Sequence, residues 1–199
     1  MAFGVKAHSG WAALVALGEH GRRLDVVERR RLALVDDEDA EWAKQPYHAA
    51  EGLAAADAEA VVTRAIAAAH ARAEDAMTRL LAERRAQGDE VVACGVLLGS
   101  GMPGWSVAEI LAVHMRMHKA EGELFRDALA KGAERAGLPC IGVRDKEVEA
   151  VAGKVLSLPA AELSRRLGEA GRRAGPPWAR DQKEAALAAW IALRRAARG

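Results

Sequence analysis

The segment that decides the fold is Gly4–Leu17, GVKAHSGWAALVAL. It is apolar enough to form a buried strand, yet Lys6 and His8 stand in it directly before a glycine and a tryptophan. The glycine-bracketed segment GEHG follows and predicts a turn. Residues 22–35 then alternate between apolar and polar side chains, which is typical of a half-exposed strand. We therefore expect a β-hairpin whose second strand is either continuous or broken near Glu28.

Helix and strand patterns follow the hairpin. Residues 36–52, acidic at first, predict a loop. Residues 53–87 carry apolar side chains at steps of three and four, which predicts a long helix. The continuously apolar residues 91–98 predict a strand that is covered on both faces. Ser106 and Glu109 have the spacing of a capping box and predict the start of another helix.

That helix is predicted to run from residue 107 to about residue 136, where a glycine follows, and LPCIGV then predicts a short last strand. Residues 145–199 predict a mostly helical end of the chain. A hairpin followed by crossover helices gives an α/β fold with a mixed β-sheet flanked by long helices. No stretch indicates a linker, so we expect a single domain over residues 1–199.

Composition narrows the class of protein. The chain has 199 residues, 29% charged and 51% hydrophobic, which is typical of a globular domain rather than a disordered chain. No apolar run approaches the roughly 20 residues that span a bilayer, and the N-terminus lacks the features of a signal peptide. Cys94 and Cys140 are expected to be reduced core residues. We therefore predict a cytoplasmic protein without membrane association.

Charge is unevenly distributed, although the net charge is only +1. Acidic residues outnumber basic ones between Asp36 and Ala76, and the reverse holds from Ser164 onwards. The basic end has two interpretations. It meets phosphate or an acidic partner, or the two regions neutralise each other within one fold or across a homodimer.

Three segments resemble the ribonuclease H-like superfamily, and in particular the bacterial Holliday-junction resolvases of the RuvC type. GVKAHSGWAALV resembles the first resolvase strand and its turn, and residues 125–148 resemble a helix, a strand and the start of the next helix. DQKEAALAAWIAL, residues 181–193, is similar to the closing helix. The resemblance implies a ribonuclease H-like fold and a nucleic acid or nucleotide partner. We also expect VKAHSGWAA, QPYHAA and PPWARDQKEAALAAW to mark a separate bacterial family.

The chain departs from this resemblance at the acidic residues. Nucleases of the superfamily hold two Mg²⁺ or Mn²⁺ ions between carboxylates, which suit these hard cations. Lys6 stands where the resemblance places the leading aspartate, and GVLLGSG ends the strand where it places a glutamate. Of the acidic positions that the resemblance implies, only those of the closing helix are acidic in this chain, as Asp181 and Glu184. Lys6 either replaces a lost carboxylate or pairs with Asp181 or Glu184 as an ion pair, and both interpretations stay open.

A histidine-rich helix offers a different chemistry. His114, His118 and Glu121 fall at i, i+4 and i+7, so all three project from one helix face. Two imidazoles and a carboxylate predict a transition-metal site such as zinc, and His8 and His48 are candidates to extend it. The alternative is that the two histidines line a packing seam.

Two further segments are candidate ligand-binding elements. QPYHAAEG carries Gln45, Tyr47 and His48 on a predicted loop, where polar functional groups often gather. GPPWARDQKEA carries Trp178 and Lys183 beside Asp181, for which a helix N-cap is the simpler role. The alternative for the first segment is structural: Pro46 fixes the turn, Tyr47 packs and His48 caps the start of the next helix.

Three functions remain. The first is a ribonuclease H-like domain that lacks the full two-metal carboxylate set and binds nucleic acid, a nucleotide or a protein. The second is an active metal-dependent phosphodiesterase that uses Asp181 and Glu184 with Lys6 and His8. The third is a structural, self-associating protein. The first favours a protein that is not an enzyme, and a divalent cofactor, Mg²⁺, Mn²⁺ or Zn²⁺, is left open.

Overall fold

Five strands form one mixed sheet in the order β3-β2-β1-β4-β5. The structure is a computed structural model that describes residues 1–36 and 40–198. The strands are β1 (Ala2–His8), β2 (Trp11–His20), β3 (Arg23–Ala33), β4 (Cys94–Leu98) and β5 (Cys140–Arg144). The first three pair antiparallel, and β4 pairs parallel with both β1 and β5. The predicted mixed sheet with an N-terminal hairpin is confirmed.

The hairpin turns earlier than the sequence suggests. A single strand through residue 17 is wrong, because the chain reverses at Ser9 and Gly10 between β1 and β2. Gly10 has a φ of +77°, which favours glycine. The predicted turn at GEHG also lies too early, since β2 continues to His20. Two buried strands joined by two residues look like one apolar run, which explains why the turn at Ser9 and Gly10 was not predicted.

The second predicted strand contains a β-bulge. Ala16 pairs with Glu28 and Leu17 with Val26, so Val27 is the extra residue of β3 and is 41% exposed. The break expected near Glu28 is therefore a local irregularity within one strand.

Eight α-helices lie in the described part of the chain, and some divide where the sequence predicts continuity. They are α1 (Ala40–Lys44), α2 (Pro46–Ala49), α3 (Ala55–Ala86), α4 (Val107–Leu111), α5 (His114–Arg135), α6 (Val148–Leu156), α7 (Ala160–Ala174) and α8 (Arg180–Ala196). The long helix α3 and the capping box of Ser106 and Glu109 are confirmed. The helix predicted over 107–136 breaks at Ala112 and Val113. The loop predicted over 36–52 contains α1 and α2, and its residues 37–39 lie outside the described residues.

Helices cover both faces of the sheet. α3 and α5 pack on one face around Phe3 and Phe125, while α8, with α6 and α7 beside it, covers the other around Trp190. Two glycines allow α8 to lie directly on the strands. A Cβ atom on Gly4 of β1 would collide with the carbonyl oxygen of Ala185, and one on Gly95 of β4 would collide with Ala188. None of the described helices is long and apolar enough to cross a membrane.

Candidate functional site

The pleat of β1 directs Lys6 towards α8. Successive side chains of a strand point to opposite faces, so Lys6 shares the α8 face with Gly4. Its ammonium forms ion pairs with Glu184 and, at 3.2 Å, with Asp181. Arg180 Nε donates to the other oxygen of Glu184 at 2.7 Å. These four residues form the Lys6 cluster, in which two cations meet two carboxylates.

The ion pairs keep the cluster charged. Burial by itself would lower the pKa of Lys6, but hydrogen bonds to Glu184 and Asp181 outweigh it and raise that pKa above its usual value. Burial would raise the pKa of Glu184, but donors from Lys6 and Arg180 hold it below its usual value. The ammonium and the Glu184 carboxylate therefore stay ionised across neutral pH.

Asp181 is not the N-cap of its helix, contrary to the simpler interpretation of the sequence. Ala179 occupies the N-cap position, and its backbone N–H donates to Gln182 Oε1 at 3.0 Å. The Asp181 carboxylate is consequently free to face the sheet. One of its oxygens contacts Lys6 and the other lies 3.0 Å from His8 Nε2.

An aromatic and cationic stack extends from His8 to β3. The His8 ring stacks on Trp11 with centroids 4.2 Å apart and planes 8° apart. The guanidinium of Arg31 lies 4.0 Å from the centre of the Trp11 ring. Arg31 has no carboxylate partner among the residues that the structure describes. Sequence analysis missed Trp11 and Arg31, because twenty positions separate them along the chain.

The side chains around Lys6 differ from the carboxylate set that the resemblance implies. β1 supplies an ammonium, and Gly99, the residue after β4, supplies no side chain. Glu123 of α5 fills that place, since a Cβ on Gly99 would collide with its Oε1. The two acids of α8 already neutralise Lys6.

A concavity lies at the carboxyl ends of β4 and β5. It has a volume of about 320 Å³, and Gly99, His118, Glu123 and Asp145 are among its lining residues. Asp145 directly follows β5, and its charge helps to raise the pKa of Lys6. Ligands of α/β sheets bind where the strands end. The position of Asp145 directly after a predicted strand could therefore have identified it as a candidate site residue from the sequence.

A second polar cluster joins α2 to α5. His48, His114 and His118, here called the histidine cluster, present nitrogen atoms that all lie within 4.8 Å of one another. Nε2 of His114 lies 3.0 Å from Nε2 of His118. Of the predicted extensions, His48 therefore joins the set, whereas His8 lies against Asp181.

Glu121 lies beneath the histidine cluster rather than within it. Its side chain is 3% exposed, and its Oε1 accepts hydrogen bonds from His48 Nδ1 at 2.8 Å and from the His48 backbone N–H at 3.2 Å. The sequence predicts Glu121 as a third metal ligand. In the structure its carboxylate is bonded to His48, and the three clustered residues are all histidines.

The remaining candidate residues are spread over the molecule. Gln45 is exposed, and Tyr47 is 5% exposed with its pKa raised by burial and by the charge of Glu121. Trp178 packs on Gly171 of α7, where a Cβ atom would collide with its ring. Lys183 is exposed on the first turn of α8. None of these four residues belongs to the Lys6 cluster or the histidine cluster.

The fold is similar to that of solved structures. No family model and no curated protein matches the sequence. Two solved structures of Thermus thermophilus RuvC are similar in fold over 100% of this chain, both at 13% identity. The first, RuvC alone, has a TM-score of 0.52 with 96% of that chain covered. The second, RuvC in complex with a Holliday junction substrate, has a TM-score of 0.50 with 95% covered. The chain therefore has the ribonuclease H-like fold of RuvC.

Proposed function

We propose that this protein binds nucleic acid through the α8 side of a ribonuclease H-like fold and does not hydrolyse it by a two-metal mechanism. The ion pairing of Lys6 with Asp181 and Glu184 is the observation that carries the proposal. A divalent ion at these carboxylates would have to displace an ammonium that stays protonated across neutral pH. Hydrolysis of this type needs two ions that hold both the attacking and the leaving oxygen, and two acids that already neutralise a cation are a poor site for them.

Two concave surfaces beside the first turn of α8 support binding. One has a volume of about 390 Å³ and is lined by Trp11, Arg31 and Gln182, among others. The other, of about 890 Å³, includes Arg172 and Lys183. Cationic side chains there suit phosphates. Trp11 is half-buried between its contacts with His8 and Arg31, and an unpaired base that takes the place of one of them would stack on its ring.

The fold similarity supports a nucleic acid partner in preference to a protein. One of the two similar structures is a complex of RuvC with a Holliday junction substrate. The same fold with cationic surfaces beside α8 favours a DNA partner for this chain. We propose branched DNA as the first ligand to test.

Binding is tested by fluorescence anisotropy with a labelled four-way DNA junction, a duplex and a single strand of equal length. Each lost phosphate contact lowers the slope of log affinity against log salt by about 0.9 for B-DNA. We expect this for Lys183→Ala and for Arg31→Ala, and a larger loss of single-strand affinity for Trp11→Ala. Arg85→Ala, an exposed arginine of α3 on the opposite sheet face, is the matched control. Equal affinity of all variants would contradict the proposed surface.

Cleavage is tested on the same DNAs with Mg²⁺ or Mn²⁺. We expect intact DNA with the wild-type protein. Metal-dependent cleavage that disappears in Asp181→Asn would establish the alternative, an active phosphodiesterase that uses Asp181 and Glu184 with Lys6 and His8. Self-association stays a prediction, and light scattering on the free protein would detect a homodimer.

A further inference from the structure

We propose that His48, His114 and His118 bind a divalent transition-metal ion, Zn²⁺ first among them, and that Glu121 orients His48 for it. This site is independent of nucleic acid binding and lies outside the Lys6 cluster. One nitrogen atom from each of the three imidazoles already lies within 4.8 Å of the other two. Zinc with ligands at about 2.0–2.1 Å in a tetrahedral arrangement holds neighbouring nitrogen atoms about 3.3 Å apart, so only small side-chain rotations are needed.

Secondary structure brings the ligands together. His114 and His118 are one turn apart at the start of α5, so their rings project from the same face. Their Nε2 atoms are 3.0 Å apart, close to the spacing of two nitrogen ligands of one zinc ion, and their ring planes are 87° apart. His48 of α2 approaches from the side, with its ring centroid 4.7 Å from that of His118. Two ligands on one helix and a third from a separate element form a site that only the folded chain can hold.

Glu121 provides a second, independent indication of a metal. Its carboxylate is almost fully buried, and among the described residues no lysine or arginine pairs with it. A buried carboxylate without a cation is costly. A hydrogen bond from His48 Nδ1 to that carboxylate leaves Nε2 as the available nitrogen. Carboxylate–histidine–metal arrangements of this kind fix the orientation of a ligand and make the imidazole more basic.

The donor set selects the class of metal. Three imidazole nitrogens suit Zn²⁺ and related transition metals, whereas Mg²⁺ and Ca²⁺ prefer oxygen ligands. His114 and His118 are exposed, so a fourth position stays open to water or another ligand. His118 also lines the concavity at the ends of β4 and β5. A bound ion would therefore lie at the rim of that concavity.

The test is a zinc titration of the untagged full-length protein after treatment with a chelator, measured by competition with a chromophoric zinc indicator. We expect one tightly bound Zn²⁺ per chain and no response to Mg²⁺. Glu121→Gln should weaken binding by about 10–100-fold, the usual effect of removing a partner that orients a ligand. His114→Ala and His118→Ala should each weaken it by more than that. Co²⁺ should give the visible absorption of a tetrahedral ion in the wild type and not in His118→Ala.

His20→Ala is the matched control, because His20 is an exposed histidine that pairs with Asp25 outside the cluster. Its zinc affinity should equal that of the wild type. Circular dichroism and thermal melting of each variant in chelator establish that the protein is folded. If a His48→Ala variant does not fold, the variants at the exposed His114 and His118 decide the outcome. The proposal is overturned if zinc binding to the wild type does not saturate. It is also overturned if His114→Ala and His118→Ala both bind zinc as tightly as the wild type.

Discussion

The Lys6 cluster and the histidine cluster arrange charge in opposite ways. In the first, Lys6 and Arg180 neutralise Asp181 and Glu184, so the cluster is complete without any ligand. In the second, the histidine nitrogens face one another above the buried carboxylate of Glu121. The place where the resemblance expects a metal site and the place where metal-binding atoms gather are therefore different parts of this fold. The sheet edge that the fold makes available is filled by an internal cation, while donor atoms gather on helices outside the sheet.

The largest effect is expected from Lys6→Ala. Removal of the ammonium leaves two neighbouring carboxylates with Arg180 beside Glu184 and His8 beside Asp181 as the remaining contacts. Breaking a buried ion pair by removing one partner costs about 3–5 kcal/mol, and the partial exposure of Asp181 favours the lower end. We expect the free energy of unfolding in urea to fall by about 3 kcal/mol. Lys183→Ala, an exposed lysine on the same helix, should change it by less than about 0.5 kcal/mol; an equal loss in both variants would contradict the ion pairing.

Gly4→Ala should disturb the Lys6 cluster and leave the histidine cluster unchanged. The added Cβ would collide with the Ala185 carbonyl and push α8 away from β1, at a cost of about 2 kcal/mol. Because the histidine cluster lies on α2 and α5, its zinc affinity should stay unchanged. Gly104→Ala, where a Cβ meets open space, is the control. Urea unfolding and zinc titration of the same preparations measure both effects, and a parallel loss of zinc affinity would show that the clusters are coupled.

Glu184→Gln sharpens the comparison through pH. The pKa of Glu184 is lowered in the folded protein, so its contribution to stability is present above the unfolded value of about 4.3 and is lost as pH falls through the folded pKa. Lys6 has a raised pKa, so its contribution is lost only above about pH 10.4. The variant should be about 1–2 kcal/mol less stable than the wild type between those values. The difference should shrink towards pH 3, and a constant difference down to that pH would argue against an ion pair.

The smallest effect is expected from Glu121→Gln in the presence of a chelator. The amide oxygen still accepts a bond from His48, and the buried charge disappears, so stability should change by less than about 1 kcal/mol. Added Zn²⁺ should stabilise the wild type more than the variant, because the stability gained from a metal that binds the folded state rises with the logarithm of its affinity. Thermal melting with and without Zn²⁺ measures the difference. Equal stabilisation of both proteins would remove Glu121 from the proposed metal site.

Much of the fold and part of the candidate sites followed from the sequence. Periodicity located α3 and β4 because both elements are long or apolar enough to dominate their own conformation. Helical spacing placed His114 and His118 on one face, and the resemblance brought Lys6, Asp181 and Glu184 into one hypothesis. Local rules failed where two buried strands met at Ser9 and Gly10, since period and hydrophobicity are the same on both sides of such a turn.

From the amino-acid pattern alone came the class of fold and the elements that carry Lys6, His118 and Asp181. Tyr47 and His48 were expected on a loop and lie on α2. Only the tertiary structure decided which side chains meet: Lys6 with two acids of α8, Arg31 with Trp11, and His48 with two histidines of α5. Ala179 rather than Asp181 is the N-cap of α8, and the Asp181 carboxylate contacts Lys6. The physical reason is that periodicity and capping are local properties of the chain. The partners of a charged or metal-binding group are instead set by packing between distant segments, which no local pattern encodes.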